Sequence, residues 1–114
     1  TSLPMMLTEG VGKGRITIDK LAEVMCENPA KLFRIYPQKG SLQVGADADI
    51  VIVDMDYEYT IDASKFKSYQ KHGPFDGFQV KGAPVMTLVR GIVVADHGEV
   101  VGKPGYGRMV RPLK

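Results

Sequence analysis

Near Gly40 the chain changes texture, and that change limits the available folds more than anything else in the sequence. Before it, apolar residues recur at helical spacing; after it, they form short alternating or β-branched blocks set off by glycine and proline. Pro4 suits a first helical turn with Ser2 as its cap, and Met5, Met6 and Leu7 follow before Gly10-Val-Gly-Lys-Gly14 breaks the helix. Thr17 opens a second helix because its hydroxyl can accept from first-turn N–H groups left without partners. Ile16 and Leu21 are spaced for a hydrophobic staple, and Leu21, Val24 and Met25 form an apolar stripe. Asn28-Pro29 ends that helix and caps a third, with Leu32, Phe33 and Ile35 on its buried side and Pro37 as its stop. The reading is a pair of short helices meeting at a sharp corner.

After Gly40 come Leu42-Gln-Val44, short and alternating, and then Ile50 to Val53, a β-branched run suited to a strand buried on both faces. Tyr57 to Ile61 reads as a further strand, and Asp62 to Gly77 as a polar stretch with a turn at Gly73-Pro74. Val85 to Val89 and Ile92 to Ala95 are strands on either side of Arg90-Gly91. Asp96-His97-Gly98 turns tightly into Glu99-Val100-Val101, a hairpin signal. Helices come first and strands afterwards, in a mixed α and β chain. A helix pair and a few strands do not close a core between them, so the pattern predicts a part of a larger fold.

Function classes narrow by elimination. With 114 residues, 44% of them hydrophobic and 25% charged, the chain has apolar surface enough for one ordered domain. A net charge of +2, spread along the chain, argues against a nucleic-acid binder. Only Arg108-Met-Val-Arg-Pro-Leu-Lys114 concentrates positive charge, as a solvated terminus does. Apolar runs are too short to cross a bilayer. Cys26 is the only cysteine, which excludes an intrachain disulfide; it reads as a small buried hydrophobe on a helix. With no signal-peptide pattern at the start, a cytoplasmic setting is expected.

The motifs that could carry chemistry fail on spacing. A phosphate loop through Gly12-Lys13 needs glycine at Leu7 and Ser or Thr at Gly14. Asp54-x-Asp56-x-Glu58 begins like a calcium loop, but Tyr59 stands where glycine is required and Lys65 where the closing glutamate belongs. Asp47, Asp49 and the carboxylates after them are read as turn and edge chemistry. His72 and His97 have no histidine or cysteine at ligand spacing, and no serine or cysteine has an activating partner. Tyr57, Tyr59, Phe66, Tyr69, Phe75 and Phe78, interleaved with Lys65, Lys67 and Lys71, are read as packing aromatics rather than base-stacking platforms.

In order, Asn28-Pro-Ala-Lys-Leu-Phe33, Pro37-Gln-Lys-Gly-Ser-Leu-Gln-Val-Gly45 and Ala46-Asp-Ala-Asp-Ile-Val-Ile-Val-Asp54 resemble the C-terminal signature of cyclic amidohydrolases. Leu3 to Val11, Gly82 to Gly91 and Val100 to Gly107 resemble the dihydropyrimidinase and D-hydantoinase branch. The resemblance implies terminal helices of a (β/α)8 barrel over residues 1–36, followed over 37–114 by part of a C-terminal β-sandwich with its tail. It implies a parent enzyme that hydrolyses the ring amide of dihydropyrimidines or hydantoins. Two zinc ions, or similar divalent metals, and a carboxylated lysine would lie upstream of Thr1, so no catalytic, cofactor-binding or metal-ligating residue is assigned here. The implied partners are the remainder of the amidohydrolase chain and copies of itself in a dimer or tetramer, with no nucleic acid and no membrane. The alternative is a free-standing β-rich assembly module derived from such an enzyme.

Overall fold

The computed structural model describes residues 1–113, so Lys114 of the basic tail lies outside the described residues. Helix α1 (Ser2–Met5) runs on through π-helical turns over Met6–Gly12. Helix α2 (Ile18–Ala22) likewise continues through π-helical turns over Glu23–Glu27 into α3 (Asn28–Leu32). Strands β1 (Ile50–Thr60), β2 (Gln79–Val89), β3 (Ile92–Asp96) and β4 (Glu99–Val100) form one antiparallel sheet in that order. Local signals explain several boundaries. The Thr17 side chain accepts from the Lys20 N–H at 3.1 Å, as its type and position predict. Arg90 and Gly91, and likewise His97 and Gly98, take positive φ, which is what tight hairpin turns between twisted strands require. The Gly73-Pro74 turn closes with Asp76 N–H donating to the Gly73 carbonyl.

Helical boundaries differ from the expectation where glycine and proline were read as breaks. Gly10 lies within the first helical stretch, which starts from Thr1 rather than a Ser2 cap and has no side-chain cap bond. Asn28 is no cap either: Glu27 and Asn28 both have helical dihedrals, so the chain passes through Asn28-Pro29 without a corner. The wider π turns precede Pro29, whose missing N–H and ring crowd the turn before it. The helix then stops before Pro37, because Arg34 swings to φ 57° and the Ile35 N–H closes on the Ala30 carbonyl at 2.9 Å.

The sheet is longer and more irregular than the sequence suggests. Ile50 to Thr60 is one strand, not two, bulged where Asp54 and Glu58 face Ala83 and Lys81. Pro84 sits within β2 beside a second register shift, where the missing N–H is tolerated. At the first bulge Gly82 takes φ +100°, and the Leu7 side chain rests on it: a Cβ there would lie 3.1 Å from Leu7 Cβ. Lys81 N–H donates to Thr8 Oγ1 at 3.0 Å, so a hydrogen bond reinforces the same helix-to-strand contact.

The core is built from Leu7, Leu21, Ala30, Ile61, Ala63, Val80 and Ala83. Several side chains expected inside lie outside. Leu32 is 78% exposed and Phe33 66%, while Ile35 is half-buried and Ala30 is the buried residue of α3. Val24, Met25 and Cys26 are exposed, leaving Leu21 as the buried member of its stripe. Val51 and Ile52 are 47% and 46% exposed because β1 is an outer strand with no neighbour beyond it among the described residues. Leu42 and Val44 sit in an exposed loop rather than a strand. The aromatics of the middle third form two pairs, Tyr57 with Tyr59 and Phe75 against Phe78, while Tyr69 is fully in solvent.

Candidate functional site

The densest polar arrangement lies where the helical region crosses into the sheet. Lys39 follows the αL turn at Arg34, and its N–H donates to the Ile35 carbonyl at 2.9 Å. Gly40 lets the chain graze the second helical stretch, where Cys26 O and Ala30 Cβ leave no room for a side chain. The crossover returns through Gly45, and the Asp47 N–H donates to the Gln38 carbonyl at 2.9 Å. Lys39 Nζ then bridges Asp47, at 2.9 Å, and Asp49, closer still. Gln38 Nε2 donates to Asp47 Oδ2 at 3.1 Å.

Asp49 also reaches the sheet. Its Oδ1 accepts from the Arg90 N–H at 2.8 Å, and the Gly91 N–H donates to the neighbouring Ala48 carbonyl at 2.9 Å. The Arg90 guanidinium lies 4.2 Å from the centre of the Tyr106 ring and donates from Nη2 to the Tyr106 carbonyl at 2.5 Å. Tyr106 Oη donates to the Val89 carbonyl at 3.1 Å.

Charge in this arrangement is fixed by mutual contacts. Partial burial works against the Lys39 ammonium, but its bonds to Asp49 and Asp47 outweigh that and hold its pKa above the ordinary lysine value. The Lys39 hydrogen bond holds Asp47 below the carboxylate range. For Asp49, burial pushes upward but is overcome by Lys39 and the Arg90 N–H, so its pKa also falls. The signs set a stability profile. The carboxylates contribute above the unfolded value near about 3.9, and that contribution is lost as pH falls through their lower folded values. The lysine contributes fully below about 10.4 and loses that contribution as pH rises through its higher folded value. Replacing Asp49 by asparagine is expected to cost about 1 kcal/mol at neutral pH, since the site is partly exposed, and to flatten the acid limb of urea-denaturation midpoints measured between about pH 5 and 2. Equal acid limbs in the two proteins would remove Asp49 from that role.

Other residues singled out in the sequence are scattered. Asp54 Oδ1 accepts from the Asp56 N–H at 2.9 Å, and Asp56 and Glu58 face Lys81 at 3.3 and 3.9 Å. His97 Nδ1 meets its neighbour Asp96 in the exposed hairpin turn. Lys13 pairs with Glu9 at 2.7 Å on the helix surface. An open depression of about 340 Å³ lies between the first helical stretch and the β1–β2 pair, lined in part by Thr8, Tyr59 and Lys81. Among the described residues, no group of three or more His, Cys, Asp or Glu side chains converges where a metal ion could be held. These residues therefore do not fit a two-metal centre. The residue types alone do not reveal Lys39, Arg90 and Tyr106; the available signal was a lysine just before the glycine-bounded loop 40–45 and two aspartates at alternate positions just after it.

Residues 2–94 match the model of the Amidohydrolase family, so a mixed α/β chain with a small antiparallel sheet belongs to that family. Within it, the chain is similar to hydantoinases. It is 62% identical over 110 residues to an L-hydantoinase of Paenarthrobacter aurescens, covering 96% of this chain and 24% of that protein. It is 43% identical to a D-hydantoinase of Geobacillus stearothermophilus, over 96% of this chain and 23% of the relative. Among solved structures, an L-hydantoinase (dihydropyrimidinase) from Arthrobacter aurescens superposes with a TM-score of 0.90 at 61% identity, over 93% of this chain and 24% of that one. A dihydropyrimidinase from Brevibacillus agri gives the same TM-score at 37% identity, over 96% and 24%. The chain thus spans about a quarter of the length of the relatives it matches.

Proposed function

We propose that this chain is the C-terminal structural part of a metal-dependent cyclic amidase that opens the ring amide of dihydropyrimidines or hydantoins, and that it is not catalytic by itself. Residues 1–36 are the last helices outside a (β/α)8 barrel, and residues 37–114 are a portion of the β-sandwich with its tail. The metal ligands, a carboxylated lysine among them, belong to the remainder of the protein, which assembles as a dimer or tetramer.

The observation that carries the reading is surface. The chain exposes 8440 Å², against about 6,200 Å² expected for a compact monomer of this size. Its radius of gyration, 15.2 Å, also exceeds the roughly 13 Å of a closed domain of this length. The excess of about 2,000 Å² is larger than one partner's share of a standard protein interface. Much of the exposed surface is apolar, including Leu32, Phe33, Leu42, Val44 and Val51. Surface of that kind is normally covered by further polypeptide.

The test is ring opening of dihydrouracil and hydantoin with added zinc, by this chain alone and after refolding with a polypeptide supplying the preceding part of a hydantoinase relative. Turnover is expected in the mixture only. Metal-dependent turnover by the chain alone overturns the proposal.

A further inference from the structure

The crossover (39–49) and the C-terminal arm (101–113) are far apart in sequence, yet both are bonded to Arg90. Asp49 holds its backbone N–H at 2.8 Å, and Tyr106 engages its guanidinium by face and carbonyl. The links close into a ring. From Tyr106 the arm runs back to the end of α3, where the Leu113 N–H donates to the Arg34 carbonyl at 2.7 Å. From there the chain leads through Lys39 to Asp47 and Asp49, and so to Arg90 again.

Arg90, like Arg34, is a strained member of the ring. Its φ of +45° is a conformation that a side-chain-bearing residue adopts at a cost, and one that persists where surrounding contacts over-determine it. The bond to its N–H and the clamp on its guanidinium are contacts of that kind. Each makes the other easier to keep, because a turn already held by Asp49 presents the guanidinium to Tyr106 in one orientation. Beyond Tyr106, the bond from the Leu113 N–H to Arg34 is the arm's other hold, and Arg108, Met109 and Arg111 between them are exposed.

We infer that Arg90 is a positioning residue that couples the two segments, so that docking of the C-terminal arm depends on a carboxylate bonded to the other end of the same arginine. The inference does not rest on the reading of the chain as part of a cyclic amidase. It requires only that the ring be present in the folded protein.

Limited trypsin digestion of the intact protein reads arm docking directly. In the arm, Lys103 and Arg111 precede prolines and resist cleavage, leaving Arg108–Met109 as the scissile bond. Its cleavage is followed by mass spectrometry of the released C-terminal peptide. Loss of the charged hydrogen bond in Asp49→Asn is expected to raise the rate at this bond about fivefold, through more frequent local opening. Asp47→Asn, which disturbs the same lysine without touching Arg90, is expected to stay within about twofold of the parent. Arg90→Ala releases the arm outright, and adding Asp49→Asn to it produces no further increase, as non-additivity through a shared residue requires. An unchanged rate in Asp49→Asn, an equal rise in Asp47→Asn, or multiplying effects in the double variant each overturn the inference. If Asp49→Asn does not fold, the reciprocal measurement decides the matter. Tyr106→Leu removes the ring that lies against the Arg90 guanidinium and is expected to speed hydrogen exchange at the Arg90 amide, and unchanged protection there sinks the coupling.

Discussion

Replacing Gly40 by alanine is expected to destabilise the protein by about 2–5 kcal/mol, read as a fall in the urea midpoint at constant slope. Two effects combine. Gly40 has φ +80°, where an L side chain is strained by about 1–2 kcal/mol. A Cβ there would also lie 2.5 Å from Ala30 Cβ and 2.7 Å from the Cys26 carbonyl oxygen, distances that atoms in folded proteins do not adopt. Neither neighbour is the free end of a flexible side chain; both are fixed parts of the second helical stretch, so the crossover itself must move. Gly45 supplies the comparison. Its φ is +95°, but a Cβ there would meet nothing within 4 Å, so Gly45→Ala is expected to cost only the strain, about 1–2 kcal/mol. Equal losses at the two positions would mean that close packing at Gly40 is not what the glycine serves.

Leu7→Ala is expected to cost about 2–5 kcal/mol in the same measurement, the range for removing a fully buried leucine where the gap cannot collapse. Leu7 is completely buried, and it rests on Gly82 at the β1–β2 bulge. Gly82 has no side chain that could move into the space, and the adjoining bond from Lys81 N–H to Thr8 Oγ1 holds the helix at its distance. The neighbouring Met6 is partly exposed, so Met6→Ala should change stability far less. A loss at Leu7 no greater than at Met6 would show that the first helical stretch is not docked as described.

Features with a short range were legible in the residues. Thr17 caps its helix because a hydroxyl two to three residues ahead of free N–H groups needs no tertiary partner. Arg90-Gly91 and His97-Gly98 turn the chain because consecutive positive φ angles are accessible there, and Pro74 pre-sets the turn that Asp76 closes. Asn28-Pro29 misled because the same pair suits a helix start and a helix interior; continuity was decided by wider turns upstream, which no local preference announces. Leu32, Phe33 and Cys26 misled in another way. Leu32 and Phe33 read as a buried helix side and Cys26 as a small buried hydrophobe, but residue type and spacing say nothing about whether that surface is covered. Lys39 was passed over because its partners, Asp47 and Asp49, look like turn residues until the loop closes on the ammonium.

Read alone, the order of residues settled the succession from helices to strands, the hairpin turns and the family, since each depends on neighbours along the chain or on a pattern of residues at set intervals. Tertiary structure decided which apolar residues are buried, that Gly82 receives Leu7, and that one arginine joins the crossover to the terminal arm. Those outcomes depend on contacts between segments distant in sequence, where the energy belongs to the pair and neither residue carries a mark of its partner.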